Sequence, residues 1–435
     1  METSSPLYFR KGRLVLLLVL FALVWSAVPV VGQDKSASPY LFGDWGGART
    51  RLAEEKGVKF DFFYISDLLA NPQGGQYKET GWNRVRGTMD IDFSKLANVK
   101  GLSLHVTGLW QGGVNLGGGT SATGETYLGS IANPSGLVSA RTTRLDSFWL
   151  QQDLFNNKFY IRAGQFAGMD FYGVQHYGAN YLMEPLDYAF GNLFNTYESF
   201  DPAAGPAVEI KIAPVRQFYY RAAFMSGNRD PYGADTTGFN YVKKDSGVFL
   251  NEIGYLFDQP GSAKSARKLY PGLYKFGSAY NGGQFIDPFT NTASTGNYLI
   301  YFMANQAIFR PTENPNKGLD VHFGVDYSPD HAYNKVDQQF TGGAIYNGLI
   351  PKREKDAIAF GFVYSKISGA YRCAFANEGL LAPRLGSEKA IEFNYMAQVT
   401  PWLVWQPVVQ VYSDLGANPK NGTGVVVGFR TKVTF

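Results

Sequence analysis

The chain has 435 residues, 45% apolar and 17% charged, with 33 Phe, 28 Tyr, 7 Trp, 50 Gly and a single Cys. An aromatic content of 16% excludes a disordered chain, one cysteine excludes a disulfide scaffold, and a net charge of +4 over this length gives no reason to expect a nucleic-acid partner. The charged fraction falls below the roughly 25% usual in soluble domains, low for a surface that meets only water.

Residues 1–32 read as a secretory signal peptide. Arg10, Lys11 and Arg13 form its basic region, Leu14 to Trp25 its apolar stretch, and Val30 and Gly32 suit the cleavage positions before Gln33. The apolar run is short of the ~20 residues that a spanning helix needs, and no later segment qualifies. An exported, aromatic-rich chain of this kind is either soluble beyond the inner membrane or a closed barrel in an outer membrane. Cys373 on its own fits an oxidising compartment. Residues 33–56 read as an N-terminal linker and short periplasmic helix, its turns at Arg49 to Lys56 ending before Gly57.

From residue 57 to 435 the dominant signal is period-two alternation. It is clearest at the C-terminus, where Val425, Val427, Phe429, Thr431, Val433 and Phe435 face one way and Arg430 and Lys432 the other. The same reading places strands at about 57–68, 85–94, 101–112, 144–153, 157–164, 204–213, 217–226, 246–257, 272–281, 297–309, 318–328, 340–347, 357–366, 388–399, 402–412 and 423–435. Most approach the 9–11 residues of a tilted membrane strand. Odd connections such as 113–143 and 165–203 are long and even ones such as Asn156-Asn157 and Thr400-Pro401 short, with 258–271 the exception. The expected fold is all-β: a single 16-stranded antiparallel transmembrane β-barrel with a short N-terminal periplasmic helix and long extracellular loops. A soluble sandwich would alternate too, but has no need of sixteen strands with this loop rhythm. Tyr64, Tyr219, Tyr255, Tyr327 and Tyr364, with Trp110, Trp149 and Trp402, are expected at the membrane interfaces.

Alternation assigns inward positions. Arg84, Arg86, Asp90, Arg162, Glu209, Lys211, Arg221, Glu252, Lys275, Glu392 and Arg430 are the candidate pore-lining residues; Lys59, Asp61, Asp92, Asp320, His322 and Lys432 share their parity. Both signs are present, which favours polar, uncharged cargo over a single class of ion. The connection 165–203 holds ten aromatics and five acids but no Lys or Arg. It is expected to fold inward as a constriction, with Phe171, Tyr172, Tyr177, Tyr181, Glu184, Asp187 and Tyr188 as its candidate residues. Its acids are expected to meet Arg84, Arg86 and Arg162. His105, His176, His322 and His331 have no metal-ligand spacing, and no nucleotide-binding glycine loop or nucleophile motif appears, so no cofactor or catalytic residue is expected.

Gly43-Asp44-Trp45-Gly46-Gly47-Ala48-Arg49-Thr50-Arg51-Leu52 resembles the N-terminal hallmark of the carbohydrate-selective porins (OprB-type outer-membrane porins). Arg144 to Leu150, Ile161 to Gln165, Glu252 to Tyr255, Pro271 to Gly277, Asn305-Gln306, Glu392 to Tyr395 and Thr400 to Leu403 continue the resemblance in order, over roughly 40–435. Val114 stands before Asn115-Leu116 where the family often carries a basic residue. Ser413 to Pro419 replaces its frequent Asn-Pro-Gly motif. The resemblance implies passive diffusion of sugars across a bacterial outer membrane, with outer-membrane lipid around a monomer or a trimeric homo-oligomer. A general or anion-preferring diffusion porin is the alternative, and an outer-membrane barrel enzyme a more distant one.

Overall fold

Period-two strands with one oily and one wet face need an environment for each, and the computed structural model provides it by closing one sheet on itself. It describes residues 38–117, 127–137, 141–187, 195–196, 204–226, 247–257, 270–311, 314, 316–377 and 385–435. The expected signal peptide lies outside these residues, as do Tyr188 and most of the turn at 258–271.

The strands are β1 (Val58–Gln73), β2 (Glu79–Asp92), β3 (Leu102–Gly113), β4 (Thr142–Leu154), β5 (Phe159–Phe166), β6 (Gly205–Val215), β7 (Phe218–Ser226), β8 (Gly247–Phe257), β9 (Gly272–Ile286), β10 (Ala293–Phe309), β11 (Gly318–Tyr327), β12 (Val336–Asn347), β13 (Ala357–Ile367), β14 (Ser387–Thr400), β15 (Leu403–Ser413) and β16 (Gly424–Thr434). Each pairs antiparallel with its sequence neighbours, and β1 also pairs with β16, in a register that runs from Phe63 opposite Thr434 to Gln73 opposite Val425. Short helices interrupt the pattern: α1 (Ala48–Glu55), α2 (Phe93–Leu96), α3 (Glu184–Asp187) and α4 (Gly369–Asn377).

The two faces separate as the alternation requires. Phe224, Phe249, Phe276, Phe302, Phe360 and Phe393 stand exposed on the outside, while Glu252, Lys275, Asp320 and Glu392, on the same strands or their neighbours, are buried on the inside. An apolar outer surface of this extent suits hydrocarbon rather than water. Tyr219 departs from the expected girdle: it points inward and its hydroxyl donates to Glu252 Oε1 at 2.7 Å. Several strands also run on further than alternation indicated. β1 and β2 continue beyond the hydrocarbon-length core to pair Ala70 with Glu79, and β9 and β10 pair Ile286 with Ala293. The odd connections at 74–78 and 287–292 are therefore tight hairpins, not long loops. Their polar outer stretches pair as a ladder in water with no need of an oily face.

The N-terminal segment closes the rim where β16 ends and β1 begins. Gly57, at φ +68°, turns the chain from α1 into β1; a Cβ there would sit 2.7 Å from the Asp92 carbonyl oxygen. Arg49 donates from Nη1 to the main-chain oxygen of Phe435 (2.6 Å) and from Nη2 to that of Phe60 (2.5 Å), with its guanidinium 3.4 Å from the centre of the Tyr40 ring. Phe42 stacks on Phe435 at 5.5 Å. One planar fork thus ties the first strand to the last. Arg49→Ala removes two charge-assisted hydrogen bonds from a buried site and is expected to destabilise the barrel by about 2 kcal/mol. Thermal unfolding followed by heat-modifiable migration on gels measures this, and an unchanged midpoint would show that the seam holds without the latch.

Candidate functional site

The connection from β5 to β6 does not stay outside. After Phe166 it passes into the barrel, where Met169, Tyr172, Tyr181, Leu182, Met183 and Leu186 are almost fully buried. Two apolar clusters receive it. Phe166, Met169 and Tyr172 pack with Met225, Val248, Leu250, Leu299 and Met303 on the inner faces of β7 to β10, while Tyr181, Leu182, Met183 and Leu186 pack with Ile345, Ala359, Val363 and Val408 on β12 to β15. The aromatic and apolar side chains of this part of the connection are buried here. Close approach at the tip needs bare backbone on the wall. A Cβ on Gly361 would lie 2.5 Å from Leu186 Cδ1, and one on Gly343 would lie 2.4 Å from the Tyr181 hydroxyl.

A loop inside a barrel has no neighbouring strand to satisfy its peptide groups, so other atoms must. The wall's charged side chains do so. Glu392 accepts from the Leu182 and Met183 N–H groups at 2.8 and 2.7 Å, and Glu252 from the Gly173 N–H at 3.3 Å. Lys275 Nζ donates to the Val174 carbonyl (2.8 Å), Arg430 Nη1 to that of Tyr181 (3.0 Å), and Arg221 to that of Phe171. Asn394 and Gln406 both donate to the Asn180 carbonyl. Five of the candidate pore-lining residues, Arg221, Glu252, Lys275, Glu392 and Arg430, therefore lie beneath the loop and hold it.

The other candidates lie on the β2–β6 side. Arg84 Nε donates to Gln111 at 2.8 Å, Arg86 pairs with Asp146 at 3.5 Å, and Asp90 meets His105 at 2.6 Å. Arg162 pairs with Glu209 at 3.7 Å and lies 4.2 Å from the centre of the Phe171 ring, so the expected meeting with loop acids is replaced there by a loop aromatic. Glu209 also accepts from the Tyr160 hydroxyl, and Lys211 Nζ lies 4.9 Å from the Tyr219 ring centre. Asp187 meets Arg430 at 3.3 Å instead of Arg84 or Arg86. Tyr177 donates to Asp320 and Tyr172 faces the Arg221 guanidinium. With Arg221–Glu252 (2.5 Å) and Arg430–Asp67 (2.7 Å), opposite charges recur in adjacent pairs around the wall.

Some residues that shape this part of the barrel escaped the sequence reading. Asp67, which binds the Arg430 fork at 2.7 and 2.9 Å, has the same parity as Lys59 and Asp61, so its signal was present. Trp149 was expected at the interface. It faces inward instead, stacked on His105 at 4.7 Å with Arg162 4.3 Å from its ring centre, because its neighbours Phe148 and Leu150 take the outer face. A second inward segment, 127–137, had no comparable signal. Its Ile131 and Ala132 N–H groups donate to Glu388, Ser135 donates to Asp67 (2.5 Å), and the Gly136 N–H to the Leu182 carbonyl (2.7 Å), so the two loops brace one another. Burial pushes the Glu184 carboxyl up to about 7, opposed by the Asn133 amide that donates to it at 2.6 Å. Burial, and next the nearby Lys275 ammonium, hold the His176 imidazole below its ordinary value.

Comparison with known proteins follows the same lines. The profile of the family described as carbohydrate-selective porin, OprB family, matches residues 82–435. Porin B of Pseudomonas aeruginosa is 24% identical over 458 residues, covering 96% of this chain and 96% of its own. The high-pH structure of Pseudomonas putida OprB superposes with a TM-score of 0.82 at 18% identity, over 92% of this chain and 99% of that one. The low-pH structure of the same protein gives 0.58 at 16% identity, over 92% and 100%.

Two outcomes are expected. Arg430→Met leaves Asp67 buried without its counter-charge and should cost about 3–5 kcal/mol, with much of that regained in the Asp67→Asn/Arg430→Met double variant; thermal melts of the three variants check it. Glu184 binds its proton more tightly folded than unfolded, so its contribution is complete below the ordinary carboxylate value and is lost as pH rises through about 7. Open-channel current noise should therefore grow from about pH 6 to about pH 8 in the native chain and stay level in Glu184→Gln.

Proposed function

The chain belongs to the carbohydrate-selective porin, OprB family, and from that membership we propose a passive route for neutral sugars across a bacterial outer membrane, bounded by the inward loop and the β2–β6 wall. It is a channel, and the solute moves down its own gradient. The observation that carries the finer reading is the course of residues 167–187 through the barrel, gripped by wall charges along its length. Sixteen strands alone would leave a wide aqueous lumen. A loop held at successive points narrows it.

The wall chemistry supports a neutral cargo. Carboxylate and guanidinium neighbours such as Arg86–Asp146 and Arg162–Glu209 largely cancel at a distance, yet each keeps directions for short-range hydrogen bonding to hydroxyls. Trp149 and Phe171, with ring centres 4.3 and 4.2 Å from the Arg162 guanidinium, offer apolar ring surface for the C–H face of a pyranose. In this reading residues 1–32 direct export and are removed, and α1 with the short turns lies on the periplasmic side. An anion-preferring channel is the second reading, favoured by Arg144, whose buried Nε has no hydrogen-bond partner. Reversal potentials in a salt gradient separate the two.

Liposomes containing the refolded protein should swell faster in iso-osmotic monosaccharide than in amino acids of similar size; equal rates ordered by size alone would reduce it to a general diffusion pore. Deleting residues 172–195 should raise single-channel conductance and erase that preference. Conductance unaltered by the deletion would remove the loop from the constriction.

A further inference from the structure

Below the inward loop, at the end of the barrel where β10 turns into β11 and β12 ends, lies a cavity of about 630 Å³. Its wall combines Asn305, Arg310, Asp320 and Asn347 from the strands and turns with His176 and Tyr177 from the loop. The volume falls in the range of small-molecule sites, about 300–1,000 Å³. Asn305 is unusual there. It is 1% exposed, yet neither its amide nitrogen nor its amide oxygen has a hydrogen-bond partner. Arg310 Nε on the same wall is likewise buried without one. Buried polar side chains are satisfied in the great majority of cases, so two orphaned groups in the wall of one cavity mark a place where something else supplies the partners.

The surrounding chemistry defines what that partner is. Arg310 and Asp320 pair at 2.5 Å, so these two opposite charges on the cavity wall compensate one another. Asp320 is already fixed by the Tyr177 hydroxyl (3.1 Å) and the Asn347 amide (3.2 Å), which hold its carboxylate in place with further lone pairs to offer. A free carboxamide presents a donor and an acceptor side by side, the arrangement that matches two adjacent hydroxyls. His176 and Tyr177 meet edge to face at 4.7 Å and add ring surface.

We propose that this cavity is a second sugar subsite, in which Asn305 binds a vicinal diol of a neutral mono- or disaccharide after it has passed the loop. It rests on the reading of the chain as a sugar channel and adds a holding point next to the short-turn rim, the end that also carries α1 and Phe435. A weak site there would take sugar up from the narrow passage and release it at the rim, since conduction through several weak sites needs release as much as capture.

The test is current blockade in planar bilayers by D-glucose and by maltose, added separately on each side, for the native chain, Asn305→Leu and His176→Ala. Asn305→Leu fills the same space without polar atoms and is expected to weaken apparent sugar affinity about tenfold for sugar added from the α1 side, with less effect from the other side. His176→Ala, altering a loop residue on the cavity wall, should give a smaller loss with the same asymmetry and does not depend on tolerance at a buried strand position. Native-like blockade in both variants would overturn the subsite while leaving the sugar channel intact. Absence of sugar blockade in the native chain, with swelling rates set by size alone, would overturn both.

Discussion

A peptide group in hydrocarbon finds no water, and each one left unpaired costs several kcal/mol. The architecture follows from that requirement. The seam between β1 and β16 must close, because an open edge would expose two rows of N–H and C=O groups to lipid. Arg49 extends the same solution past the last ladder bond by capping main-chain oxygens of both seam strands. The alternation of residues then follows, since a closed sheet in lipid can carry polar side chains on its inner face alone.

The same demand recurs inside the lumen with a different answer. Residues 167–187 cross a space without strands to pair with, and their peptide groups are met by carboxylates, guanidinium groups and amides from β7 to β16. The wall charges therefore act first as anchors. Their mixed sign has a structural cause, because loop N–H groups call for acceptors such as Glu392 and loop carbonyls for donors such as Lys275. A lumen built to hold a loop in this way is also nearly neutral, which suits passage of an uncharged, hydroxyl-rich solute.

Aromatic residues link these levels. Phe171 and Tyr172 belong to the loop's apolar packing and also face Arg162 and Arg221, so the groups that seat the loop also shape the free surface beside it. Trp149 does the same from the wall. Loop position and the chemistry of the passage are consequently coupled, and a substitution in either reaches the other.

The number of strands, the sense of their faces and the family to which the chain belongs were legible from the residues alone, because period-two alternation and ordered local motifs are written in near neighbours. The ten aromatics of the 165–203 connection and its lack of Lys and Arg also pointed to a segment that folds inward. Strand ends at Gln73 and Ile286 were not legible, since a ladder continuing in water needs no alternation. Nor were the pairings. Arg430 and Asp67 are 363 residues apart, and Glu392 meets Leu182 across 210, so nothing local relates them. Closure of the barrel and the path of the loop through it decided which inward side chains stand under the loop and which face the passage. That division depends on three-dimensional proximity, which parity along a strand does not encode.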